Sequence, residues 1–132
     1  MRGGAILGLL VGAEAAVAEC APLDALDAFA VSGAPPDGAR CSTYLTAAGN
    51  TGASCHWEFA FREDAALVYA DDLWSALTTC RPGETLGADQ LVNHPDSYDL
   101  REWATPDSGY FISVKDKGAL NRTLVFLRVE PN

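Results

Sequence analysis

The sequence predicts an α+β fold: an antiparallel sheet of about five strands, one long helix (about 63–80) across one face, and a short N-terminal helix. Three observations predict it. Cys55-His56-Trp57-Glu58-Phe59-Ala60-Phe61-Arg62 alternates, with Cys55, Trp57, Phe59 and Phe61 on one side, as a half-buried strand does. Residues 63–80 then switch to helical spacing, with Ala66, Ala70, Leu73, Leu77 and Cys80 recurring at steps of three and four. Near the C-terminus, Tyr110 to Lys115 and Asn121 to Glu130 read as a hairpin joined through Asp116-Lys117-Gly118-Ala119.

Residues 1–18 have the pattern of a secretory signal peptide. Arg2 supplies the positive start, residues 5–13 form a short apolar run, and Ala16-Val17-Ala18 gives a small-residue cleavage pattern before Glu19. The run is about half the ~20 residues that span a bilayer, so no stable membrane insertion is expected after cleavage. Glu14 is atypical for such a leader, and a buried N-terminal helix is the alternative. Residues 19–132 form the remaining single domain, disulfide-stabilised and long enough for one core.

Within that domain, Pro22 to Ala30 suits a short helix. Pro22 sits in the first turn, where its missing N–H costs nothing, and Leu23, Leu26 and Ala30 form an apolar stripe. Residues 32–38 end it with Gly and Pro. Arg40 to Thr46 is strand-like, and Gly49-Asn50-Thr51-Gly52 turns it back into the Cys55 strand as a hairpin. The long helix follows and stops at Arg81-Pro82-Gly83. Residues 84–90 read as loop, Tyr98 to Ala104 as a strand, and residues 105–109 as a turn. In the last strand Thr123, Val125, Leu127 and Val129 face one way, while Leu124 and Phe126 face the other. An interior strand, covered on both sides at least in part, is therefore expected.

Four cysteines remain after cleavage: Cys20, Cys41, Cys55 and Cys80. An even number in a small exported domain implies two disulfides, and a periplasmic or secreted location follows. A strand of about eight residues and a helix of about seventeen both cover roughly 25 Å. A helix folded back over the strand would bring Cys80 to Cys55, so the expected pairs are Cys55–Cys80 and Cys20–Cys41. Free buried thiols are the alternative. The cysteines lack zinc-knuckle or redox spacing, and the acidic residues lack the pattern of a calcium loop. No metal or cofactor is expected.

The net charge of −9 argues against nucleic acid and against an anionic membrane surface as partners. No catalytic residue stands out. His94 with Asp96 or Ser97 is the alternative reading, a small periplasmic hydrolase, but no nucleophile-elbow pattern surrounds Ser97. His56 falls on the polar face of its strand beside Glu58, where a solvent-facing pair is the simplest reading.

The charge is unevenly spread. Residues 19–109 carry four basic and fifteen acidic groups, whereas residues 110–132 carry four basic (Lys115, Lys117, Arg122, Arg128) and two acidic. Such a locally positive hairpin can guide association with a partner, although pairing within the domain is the simpler use of those cations. Phe111, Leu124 and Phe126 lie on the sheet face opposite the long helix. If the short helix does not cover them, they extend the same interaction surface. The layout resembles small binding folds, secretion-chaperone-like domains among them, and layout alone carries no function. The expected function is a non-enzymatic module binding a protein or a small ligand, with a second copy of the chain as another candidate partner.

Overall fold

The computed structural model describes residues 20–86, 90–92 and 98–132. The signal sequence and His94, Asp96 and Ser97 lie outside the described residues. Helix α1 covers residues 20–32. Strands β1 (Arg40–Leu45) and β2 (Thr51–Ala60) form the first hairpin, and helix α2 (Asp64–Cys80) follows. Then come β3 (Glu84–Thr85), β4 (Gln90–Val92), β5 (Tyr98–Ala104), β6 (Ser108–Lys117), a 3-10 turn (Gly118–Leu120) and β7 (Arg122–Pro131).

All strand pairs are antiparallel, in the order β1-β2-β7-β6-β5-β3, with β4 also pairing with β5. The fold is α+β, as the sequence predicts, with seven strands among the described residues where about five were expected. The additions are β3 and β4. Two or three residues are too few to show an alternation, so β3 read as loop until its pairing with Trp103 and Ala104 fixed it.

Both helices lie on one side of the sheet. Leu23 and Leu26 of α1 are fully buried in one cluster with Ala66, Ala70, Leu73 and Leu77 of α2 and with Trp57, Ile112, Val125 and Leu127 of the sheet. The stripe predicted for α2 is therefore the one that packs, and in α1 Leu23 and Leu26 pack as predicted while Phe29, rather than the exposed Ala30, completes the contact. Arg81 fastens the two helices at one end: its guanidinium donates to Asp24 at 2.7 Å and to Asp27 at 2.9 Å. Tyr110 of β6 donates to Asp27 at 2.8 Å. Trp103 of β5 donates its indole N–H to the Arg81 carbonyl at 3.0 Å.

The cysteine pairing differs from the one expected. The disulfides are Cys20–Cys80 and Cys41–Cys55, not Cys55–Cys80 and Cys20–Cys41. The hairpin register sets Cys41 directly opposite Cys55, with Cα atoms 4.0 Å apart. Cys80, at the end of α2, meets the start of α1. Helix α2 does return over the sheet, but it packs mainly on β6 and β7 rather than on β2.

Candidate functional site

Side chains alternate along each strand, so one helix-covered face leaves a second face. Among the described residues no helix covers that second face. β7 is interior, between β2 and β6, as expected, and Leu124 on its second face is only 8% exposed. Of the two outcomes left open for that face, the short helix does not cover it: α1 joins α2 on the other side. The position of α1 follows from its own stripe, since Leu23 and Leu26 reach the same core as α2.

The open face gathers the residues singled out in the sequence. Register and alternation bring Phe111, Lys115 and Lys117 of β6 onto one side with Arg122, Leu124, Phe126 and Arg128 of β7. Phe111 sits opposite Arg128, and the Arg128 guanidinium carbon lies 4.1 Å from the Phe111 ring centre. The Lys115 ammonium lies 4.9 Å from the Phe126 ring centre, and His56 of β2 approaches the same ring at 5.3 Å between centroids. Stacking a cation on an aromatic face holds its aliphatic stem down and fixes its charged head. Leu124 and Ser113, between these side chains in the register, are each 8% exposed.

Carboxylates rim the strip. Glu130 lies 3.8 Å from Arg128 Nε, a nitrogen that is buried without a hydrogen-bond partner. Glu58 lies 3.9 Å from His56 and 4.0 Å from Arg40. Glu102 faces Phe111 across the β5–β6 pair. Burial pulls the Lys115 ammonium below its ordinary value, and repulsion from Lys117 and Arg128 pulls the same way.

Tyr44 was not among the candidate residues. Its hydroxyl donates to Glu130 at 2.7 Å across β2, with its ring lying where a side chain on Gly52 would stand. Burial first, then the bond to Glu130, pushes its phenol well above the ordinary range. The sequence signal was the alternation placing Tyr44 opposite Cys41's face, together with Gly52 in a strand. The His56–Glu58 pair is present as expected, though His56 is also part of the aromatic strip.

A second concavity, of about 530 Å³, opens between α1 and the sheet end, beside Asp27, Arg81, Tyr110, Leu26, Ala30 and Val129. Asp27 and Arg81 in its lining already satisfy each other, with Tyr110 donating to Asp27, as an internal clamp would. Among the described residues no group of three His, Cys, Asp or Glu side chains could hold a metal ion. No helix among them is long and apolar enough to cross a membrane. Two disulfides fit an oxidising environment.

The fold and site thus define an α+β protein with two helices on one side of an antiparallel sheet and a cation–aromatic strip on the other. No known family model matches the chain, and no curated protein is similar to it in sequence.

Proposed function

We propose that this chain is an exported, non-enzymatic binding module that engages a protein partner through the open face of its sheet. It would work in the periplasm or outside the cell, after cleavage before Glu19. The leader pattern and the disulfides support the location. The reading of function rests on one observation: both helices pack on one side, and the other side carries ordered aromatic and cationic side chains. Core apolar residues with Arg and aromatic anchors are what protein interfaces enrich.

Site-directed photocrosslinking in the native host tests it. A photoreactive amino acid at Phe111 or Phe126 is expected to yield one discrete adduct. The same group at Leu67, exposed on the outer side of α2, is expected to yield none. Equal labelling from both sides, or none from the sheet, would sink the reading.

A further inference from the structure

We infer that the partner's docking element is a short acidic peptide segment carrying at least one aromatic or aliphatic residue, laid along the β6–β7 strip. This rests on the reading of the open face as the docking surface and adds the chemistry of its occupant.

Cations and rings alternate along the strip. Arg128 lies over Phe111 and Lys115 over Phe126, while Lys117 and Arg122 pair at the hairpin end. Carboxylate oxygens approaching from solvent meet charged heads whose stems are already immobilised, so little ordering is lost on binding. An apolar side chain of the same segment completes the layer around the rings. The lowered affinity of Lys115 for its proton, caused by burial and by its cationic neighbours, is what an incoming carboxylate would reverse.

Length and charge limit the occupant. Arg122 to Arg128 covers about 20 Å of strand, the reach of some six extended residues. The rest of the molecule is acidic: Asp24, Asp27, Asp64, Asp71 and Asp72 all lie on the helices, and Glu58, Glu102 and Glu130 rim the strip. A nucleic acid or an anionic bilayer extends its charge past the strip and meets this repulsion. A short acidic segment meets only the three rim carboxylates, two of which already face cations of the sheet.

Selection from a random twelve-residue peptide display library against the oxidised full chain tests the inference. Recovered peptides are expected to be rich in Asp and Glu with an aromatic or aliphatic residue. They should bind Lys115→Glu/Arg128→Glu at least tenfold more weakly than wild type, and weaken as salt rises. Lys117→Glu/Arg122→Glu, at the hairpin end, repeats the measurement should the first variant misfold. Peptides that depend on the strip but are not acidic overturn this inference and leave the docking face standing. Peptides indifferent to both charge reversals, or no peptides at all, overturn the docking face as well. Two further results also overturn the acidic-segment inference: strip-dependent binding of a single-stranded DNA 20-mer or of vesicles with one-third anionic lipid, and self-association abolished by the charge reversals.

Discussion

Tyr110 shows how one side chain can tie three elements together. It is 4% exposed, sits on β6, and donates a hydrogen bond to Asp27 of α1, which also accepts from Arg81 at the end of α2. Burial, reinforced by the bond to Asp27, pushes its phenol up to about 12. An unfolded tyrosine ionises near ~10, so above that pH the unfolded state sheds a proton that the folded state keeps. This contribution is complete below about pH 10 and disappears as pH rises toward about 12. Tyr110→Phe is expected to cost about 1.5–3 kcal/mol at pH 7, the worth of a hydrogen bond to a charged acceptor. Urea melts should show the gap from wild type narrowing between pH 10 and 12. A gap that stays constant through that window would refute the role given to the hydroxyl.

At the level of elements, the disulfides do different work. Cys41–Cys55 crosses adjacent strands and closes 14 residues, while Cys20–Cys80 closes 60 and joins the two helices. Loop-closure entropy makes the first worth about 3 kcal/mol and the second about 4. Removing Cys20 and Cys80 together, as alanines, should speed amide exchange across residues 20–32 while leaving the β1–β2 hairpin protected. Removing Cys41 and Cys55 should do the reverse. Non-reducing peptide mapping checks the pairing itself, and a Cys55–Cys80 peptide would contradict the structure. Both strands, the turn between them and all four cysteines were legible in the sequence, yet the pairing was not. Matching helix length to strand length constrains distance along the sheet but not which strand the helix lies over. Register, counted back from the Thr46–Asn50 turn, is the tighter constraint: Leu45 opposite Thr51 already forces Cys41 opposite Cys55. The same limit applied to β3, which exists only because β5 offers it an edge.

The molecule as a whole separates what holds it together from what it presents. Leu23 and Leu26 of α1, the stripe of α2, Cys55, Trp57 and Phe59 of β2 and the set Thr123, Val125, Leu127 and Val129 were readable because each is periodic, and they lie in the core or at its edge; Ala30 and Phe61, at the ends of their predicted patterns, do not. The seven strip residues were readable for the same reason. Which side α1 occupies was not, because a three-residue stripe fits either face of a sheet until the chain path from Cys20 to Cys80 is known. That choice decides the division of labour. Leu26 is fully buried on the helix side, and its truncation to alanine is expected to cost about 3 kcal/mol through lost contacts and a residual cavity. Phe126 lies partly exposed on the open side, where Phe126→Ser should cost about 1 kcal/mol, since only part of its ring leaves an apolar environment. Binding should respond in the opposite sense: Leu26→Ala keeps the partner as long as the protein stays folded, and Phe126→Ser loses it at near-native stability. Urea melts paired with crosslinking yield for the two variants provide the check. If Phe126→Ser proved the more destabilising, the open face would be a second core rather than a surface kept for a partner.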